Sequence, residues 1–183
     1  AGSGRGKVLR EGIRLVIAGR PNVGKSSLLN ALLREKRAIV TDIPGTTRDV
    51  IEETLNLGGI PIRVMDTAGI RRAGDKIEAL GVEMSEKLLD QADIVLLVTD
   101  ASAGLLEEDL AVNKKAGDKK CLVVVNKLDL VGSVELSQWE KATGRRCVAV
   151  SAKTGLGLES LEEKVVELIE TGIAPAEGPL VTR

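Results

Sequence analysis

A glycine-rich stretch near the start of the chain has the residues needed to hold phosphate groups. Residues 19–26 read GRPNVGKS and match the pattern G-x-x-x-x-G-K-S. Its glycines let the backbone curl so that several N–H groups point at one phosphate. Lys25 would reach the β- and γ-phosphates, as a catalytic group, and Ser26 would offer its hydroxyl to Mg²⁺. The backbone predicted to contact the phosphates belongs to Asn22, Val23, Gly24, Lys25, Ser26 and Ser27.

Two further segments have residues suited to a metal ion and a third phosphate. Asp66, Thr67, Ala68 and Gly69 form a D-x-x-G sequence. Asp66 is predicted to hold Mg²⁺ through a water molecule, and the N–H of Gly69 to approach the γ-phosphate. Upstream, residues 45–49 read GTTRD, and a threonine there could close over Mg²⁺ when the third phosphate is present. Each segment is weak evidence alone, but their order and separation strengthen both.

A third set of residues could identify a base. Residues 126–129 read NKLD at the end of an apolar run. The Asp129 carboxylate would accept hydrogen bonds from guanine N1–H and the exocyclic amine, a donor pair that adenine lacks. Asn126 would tie neighbouring loops together, and the stem of Lys127 would lie along the base plane. Ser151, Ala152 and Lys153 would present a backbone N–H to the guanine oxygen. The predicted ligand is therefore GTP or GDP.

Strands and helices alternate along the chain and place these residues on loops. Apolar patterns predict strands at residues 13–18, 50–57, 60–65, 92–98, 121–125 and 146–150, and helices at residues 25–33, 77–90 and 158–169. Gly58 and Gly59 between the second and third strands are typical of a hairpin. The later strands are apolar on both faces. We therefore predict an α/β fold with a mostly parallel six-stranded sheet, one antiparallel strand and helices on both faces.

Length suggests one GTPase domain and two short flanking segments. The chain has 183 residues, which fits one core. Residues 1–9 are interpreted as a flexible leader or expression scar, residues 10–172 as the domain, and residues 173–183 as an exit linker toward a further domain. No apolar run approaches the ~18 residues that a membrane span requires. The expected location is the cytoplasm, without a membrane partner.

Composition argues against several other classes of function. The formal net charge is -1 and aromatic residues make up 1%, so neither a basic surface nor base stacking favours direct nucleic-acid binding. The chain has no histidine, which excludes histidine metal sites and catalytic triads. Cys121 and Cys147 lie in apolar runs, and we expect buried thiols in a reducing compartment.

The motifs resemble those of Ras-like P-loop GTPases in the translation-factor-related class. More specifically, the sequences of these motifs are similar to those in the G domain of the MnmE (TrmE) family of tRNA-modification GTPases. The sequences that carry this resemblance are GRPNVGKSSLLN at 19–30, AIVTDIPGTTRD at 38–49, DTAGIR at 66–71, DKIE at 75–78 with Gly81, and LVTR at 180–183. The second G domain of Der (EngA) shares the first three of these sequences. The segment around Glu78 and the LVTR sequence at 180–183 favour MnmE.

The resemblance also implies how hydrolysis is assisted. Many Ras-like enzymes position water with a glutamine after D-x-x-G, whereas this chain has Ile70 there. In the MnmE family a K⁺ ion lies beside the phosphates and the G domains dimerise across their nucleotide faces. By resemblance, Thr47 binds Mg²⁺, and Glu78 orients the attacking water through a bridging water. The K⁺ ligands implied by the resemblance are Asn22, Thr41, Ile43 and Thr46.

The expected function is K⁺-stimulated, dimerisation-activated GTP hydrolysis in a protein that modifies the tRNA wobble uridine with the flavoprotein MnmG. One alternative is a ribosome-assembly GTPase of the Der or Era kind. Another alternative is a non-catalytic module that senses GTP. Ile70 is compatible with this alternative, because isoleucine cannot orient a water molecule. The sequence does not decide whether Arg48 and Arg71 form surface salt bridges or contact an opposing protomer.

Overall fold

The computed structural model describes residues 12–38, 53–67, 70 and 87–173. In chain order the elements are β1 (Ile13–Ala18), α1 (Lys25–Lys36), β2 (Glu53–Leu57), β3 (Ile60–Val64), β4 (Ile94–Asp100), α2 (Glu107–Ala116), β5 (Lys120–Asn126), α3 (Leu128–Val131), α4 (Leu136–Thr143), β6 (Arg146–Ala149) and α5 (Leu158–Ile173). Residues 87–91 are also helical. Within these ranges no helix is long and apolar enough to cross a lipid bilayer.

The strands form one six-stranded sheet with the order β2-β3-β1-β4-β5-β6. β2 and β3 are antiparallel, and every other neighbouring pair is parallel. The β2–β3 turn contains Gly58 and Gly59 with φ values of 61° and 84°. Positive φ at both central residues matches the twist of a tight hairpin, which explains the glycine pair. The predicted mostly parallel six-stranded sheet with one antiparallel strand is confirmed.

Apolar side chains cover both faces of the sheet, because successive strand residues point to opposite sides. On one face, Leu15, Leu96 and Val124 pack with residues of α1 and α5. On the other face, Val95 and Val123 pack with residues of α2 and α4 and with the end of helix 87–91. The prediction of helices on both faces is therefore confirmed.

Both thiols of the chain are buried, as expected from the sequence. Burial raises the pKa of Cys121 to about 11 and that of Cys147 to about 12.

Several element boundaries differ from the predicted ones. The strand predicted at 92–98 spans Ile94–Asp100, because Asp100 still pairs with Asn126 after the apolar run has ended. The helices α2, α3 and α4 were not assigned from the sequence, since together they bury few apolar side chains. Residues 50–52 and 77–86 of the predicted elements lie outside the described residues. The same is true of the leader at 1–9 and of residues 174–183 in the predicted linker.

The sheet topology places the predicted site residues at one edge. β1, β3, β4, β5 and β6 run parallel to one another, so their carboxyl ends meet at the same edge of the sheet. The chain after β1 crosses to β2 and β3 on one side, and β4 lies on the other side of β1. In open α/β sheets, ligands bind outside the carboxyl ends of strands at such a reversal of strand order.

Candidate nucleotide-binding site

The loop between β1 and α1 is tightly curled against the neighbouring strands. Asn22 and Gly24 have φ values of 70° and 102°, in a region that favours glycine. A Cβ on Gly24 would lie 2.2 Å from Nδ2 of Asn126, and a Cβ on Gly19 would lie 2.5 Å from the carbonyl oxygen of Val98. These two positions therefore require glycine, because any side chain would displace the loop from β4 and β5.

Lys25 begins α1 and folds back over this loop. Its ammonium donates to the carbonyl oxygen of Gly19 at 2.6 Å between Nζ and O. The lysine thus lies over the backbone curl that the glycines permit, at the positive end of a twelve-residue helix. An anion in the loop would meet this ammonium, the helix N-terminus and the loop N–H groups together.

Two oxygen donors of the predicted Mg²⁺ site lie in the described part of the chain. Ser26 is half-buried in the first turn of α1, and Asp66 is half-buried just after β3. Asp66 has a φ of 53°, and the N–H of the preceding Met65 donates to Leu15 of β1. A hydroxyl and a carboxylate fit the preference of Mg²⁺ for oxygen ligands. No cluster of three or more His, Cys, Asp or Glu is found among the described residues, so nucleotide phosphates would have to complete the coordination.

Asn126 joins three loops at the carboxyl edge of the sheet. It is 2% exposed at the end of β5. Its Nδ2 donates to the carbonyl oxygen of Val23 at 3.0 Å, and its Oδ1 accepts from the N–H of Ala152 at 3.0 Å. One amide side chain therefore holds together the phosphate loop (residues 19–26), the NKLD loop (residues 126–129) and the loop after β6.

The Asp129 carboxylate is held in place from one side. Its Oδ1 accepts from the hydroxyl of buried Ser151 at 2.7 Å, and that hydroxyl in turn accepts from the N–H of Thr154 at 3.1 Å. Asp129 itself is exposed, as is Lys153. The arrangement presents an oriented carboxylate to solvent, as recognition of a paired donor such as the guanine edge requires.

Lys127 connects the NKLD loop to the phosphate loop through its ammonium. Its Nζ donates to the carbonyl oxygen of Asn22 at 2.7 Å and forms an ion pair with Oδ2 of Asp100 at 3.1 Å. Asp100 also accepts hydrogen bonds from the N–H and the hydroxyl of Ser102. Burial opposes ionisation of Asp100, but the hydrogen bonds from Ser102 and Lys127 outweigh burial and lower its pKa.

Two acidic residues outside the predicted motifs also support these loops. Asp100 ends a strand that begins with five apolar residues, at the carboxyl edge of the sheet, and that position is a usable sequence signal. Asp109 is completely buried; its carboxylate forms an ion pair of 3.2 Å with Arg20 in the phosphate loop and accepts from the N–H of Leu106. Burial raises the pKa of Asp109, although the Leu106 N–H and Arg20 oppose that shift. No local pattern in the sequence pairs Arg20 with a residue so distant.

Ile70 is buried in the core beside α1 and donates its N–H to the carbonyl oxygen of Asp66 at 3.2 Å. An apolar side chain directed into the core has no means of orienting water. The remaining predicted site residues lie outside the described residues, and so do Arg48 and Arg71. These predicted site residues are Thr41, Ile43, Thr46, Thr47, Gly69 and Glu78.

Comparison with known sequences finds GTPases. A family model described as "50S ribosome-binding GTPase" matches residues 14–127. The tRNA modification GTPase MnmE of Carboxydothermus hydrogenoformans is 56% identical over 167 residues, which are 90% of this chain and 36% of that protein. The MnmE of Acetivibrio thermocellus is 48% identical over 169 residues, 92% of this chain and 37% of that protein. The chain thus spans little more than a third of these relatives.

Solved structures with a similar fold, at lower sequence identity, include proteins bound to GDP or a GDP complex. The cytosolic domain of the FeoB iron transporter of T. maritima, in a GDP form, is 26% identical with a TM-score of 0.65, covering 88% of this chain and 65% of that one. Era of Aquifex aeolicus bound to GDP·AlF4⁻ is 26% identical with a TM-score of 0.64, covering 85% of this chain and 56% of that one.

Proposed function

We infer the function from two findings: the chain belongs to the GTPase family described as 50S ribosome-binding GTPases, and it is homologous to the GTPase domain of MnmE tRNA modification GTPases. We propose that it performs K⁺-stimulated GTP hydrolysis for tRNA modification. In this proposal two G domains pair across their nucleotide faces during hydrolysis. The nucleotide lies at the carboxyl edge of the sheet, with phosphates in the loop before α1 and guanine beside Asp129.

The observation that carries the nucleotide assignment is the junction made by Asn126 and Lys127. Asn126 donates to Val23, and Lys127 donates to Asn22, so both residues of the NKLD loop bind the phosphate loop directly. A nucleotide that spans two loops binds more tightly when their separation is already fixed. The junction supports one ligand with a phosphate end and a base end.

Mg²⁺ is the proposed cofactor of the triphosphate end. Ser26 and Asp66 supply oxygen donors, and Thr47 completes the protein's part of the site. When bound, the ion neutralises charge that develops on the phosphates. Lys25 adds a second positive charge beside the phosphates. Its hydrogen bond to the carbonyl oxygen of Gly19, in the phosphate loop, supports this role.

The Glu78 and K⁺ parts of the proposal start from Ile70, the residue that follows D-x-x-G. Ile70 is buried, so water has to be oriented by another group, for which we propose Glu78. A monovalent cation held by Asn22, Thr41, Ile43 and Thr46 would offset negative charge in the transition state. Asn22 is exposed in this loop, and its backbone carbonyl oxygen accepts a hydrogen bond from Nζ of Lys127.

The role of the whole protein is proposed from its relatives. The MnmE proteins are tRNA modification GTPases, and this chain matches 36–38% of the first few of them. We therefore propose tRNA as a partner of the full-length protein. The flavoprotein MnmG as a second partner is proposed from the family resemblance alone, and the cytoplasm as its location from the sequence. The ribosome-assembly alternative is less favoured, since identity to Era is 26% whereas identity to these MnmE proteins is about half.

GTP turnover measured in K⁺ and in Na⁺ at several protein concentrations tests the proposal. We expect faster turnover in K⁺ and a rate per molecule that rises with concentration, because hydrolysis requires two G domains. Equal rates in both salts would contradict the K⁺ mechanism. A rate independent of concentration in K⁺ would contradict the dimer.

The variant Glu78→Ala tests the water-orienting role separately. We expect slower hydrolysis with nearly normal GTP affinity, because Glu78 acts on water and not on the nucleotide. Glu163→Ala on α5 is a matched control, since Glu163 is exposed and its neighbour Glu162 contacts Gly58 in the β2–β3 turn, before the amino end of β3. A large loss of affinity in Glu78→Ala alone would instead place Glu78 in binding.

A further inference from the structure

We propose that Asp100 is a positioning residue for the guanine nucleotide, acting through Lys127. This inference rests on the proposed nucleotide site and assigns a role to a residue outside the GxxxxGKS, DxxG and NKxD sequences. Asp100 ends β4 and pairs in register with Asn126 at the end of β5. The two strand ends thus place the carboxylate directly beside the loop assigned to base recognition.

Asp100 is itself rigidly held. It is 8% exposed, and one carboxylate oxygen accepts from both the N–H and the hydroxyl of Ser102, at 2.8 and 2.6 Å. The N–H of Ala101 also donates to the carbonyl oxygen of Asn126. The second carboxylate oxygen, Oδ2, is the one that faces Lys127. The ion pair therefore has a fixed acidic partner and a long, flexible basic partner.

The Lys127 ammonium depends on this partner for its place. It lies between Oδ2 of Asp100 at 3.1 Å and the carbonyl oxygen of Asn22 at 2.7 Å. Lys127 also has a φ of 70°, so the loop turns sharply at its own backbone. A lysine side chain loses considerable rotamer freedom when it is fixed, and a partner that fixes it before the ligand arrives removes that cost from binding. Asp100 thus orients the lysine stem along the proposed base plane and keeps the phosphate loop joined to it.

A double-mutant cycle tests this coupling. Fluorescent GDP dissociation constants and dissociation rates are measured for wild type, Asp100→Asn, Lys127→Met and the double variant. We expect Asp100→Asn to weaken GDP binding roughly tenfold, the factor that corresponds to about 1.4 kcal/mol. In the Lys127→Met background the same substitution should change affinity less than about twofold, since the partner through which it acts is gone.

Asp93→Asn is the matched control. Asp93 precedes the same strand at its opposite end, accepts a backbone N–H of Arg14 and pairs with the Arg14 side chain at 3.5 Å. We expect this variant to bind GDP like wild type. Urea unfolding followed by the fluorescence of Trp139 checks that each variant is folded.

The outcomes separate this inference from the proposed function. Equal GDP affinity in wild type and Asp100→Asn would overturn it, and so would equal losses in both lysine backgrounds. A loss in Asp93→Asn as large as that in Asp100→Asn would also overturn it, because the effect would then be structural. Failure of the wild type to bind GDP would instead refute the proposed nucleotide site.

Discussion

Replacing Asn126 with alanine should disconnect the loops that form the nucleotide site. The side chain is 2% exposed and makes two hydrogen bonds of 3.0 Å, to the carbonyl of Val23 and from the N–H of Ala152. Alanine leaves both of these backbone groups buried without that partner. The phosphate loop and the loop after β6 then lose the contact that sets their distance from β5.

The size of the effect follows from the two lost bonds. A buried polar group left unpaired costs about 1–3 kcal/mol, so two such groups cost about 2–6 kcal/mol. Small movements and entering water reduce this, and we expect the free energy of unfolding to fall by about 2–4 kcal/mol. Domains are typically stable by about 5–15 kcal/mol, so the variant should still fold. GDP affinity should fall at least about tenfold, since the separation of the two loops is no longer fixed.

Urea unfolding and GDP titration of the same samples measure the two effects. Asn113→Ala is the matched control, because Asn113 also makes two side-chain bonds, to the carbonyl of Thr143 at 3.0 Å and from Nε of Arg145 at 2.8 Å. It links α2 to the region between α4 and β6. We expect it to lose stability while retaining GDP affinity.

Two results would refute this reasoning. Asn126→Ala with wild-type GDP affinity would show that the loops reach their binding arrangement without the amide. Equal losses of affinity in Asn113→Ala and Asn126→Ala would show that affinity follows general stability and not the junction at the site.

Three further predictions concern the base, the pH and the thiols. Asp129→Asn should shift preference from GTP toward xanthosine triphosphate in competition binding, because an amide offers the base a donor; unchanged selectivity would contradict the assignment. Glu162→Gln should lower the free energy of unfolding by about 0.5–1 kcal/mol at pH 7. The hydrogen bond from Lys36 outweighs burial and lowers the pKa of Glu162, so this contribution is present above pH 4.5 and disappears in urea titrations at lower pH. Cys121 and Cys147 should resist thiol reagents at pH 8 until the protein unfolds, because burial raises the pKa of the two thiols to about 11 and 12; rapid labelling of the folded protein would contradict their burial.

Local patterns were sufficient to predict most of the sheet and the nucleotide motifs. Runs of apolar residues predict β4 and β5, and Gly58 with Gly59 predicts the hairpin, because each signal depends only on neighbours in the sequence. The glycines of the phosphate loop could be predicted for the same reason. Gly24 is required by a positive φ and by the nearby Asn126 amide, and the first requirement is local.

The residues that support the motifs could not be predicted in the same way. Asp100 meets Lys127 only because β4 and β5 pair in register, and Arg20 meets Asp109 only because α2 packs beside the phosphate loop. Neither partnership leaves a periodic signal in the sequence. The helix α2 was missed because its only buried residues are Asp109 and Ala116, so it lacks an apolar stripe.

Titration of the wild-type protein with GDP and with ADP, both in Mg²⁺, tests the nucleotide site most directly. The proposed site predicts saturable binding of GDP and no measurable binding of ADP at the same concentrations, because adenine lacks the donor pair that the Asp129 carboxylate would accept. Equal affinity for the two nucleotides, or failure to bind GDP, would contradict it.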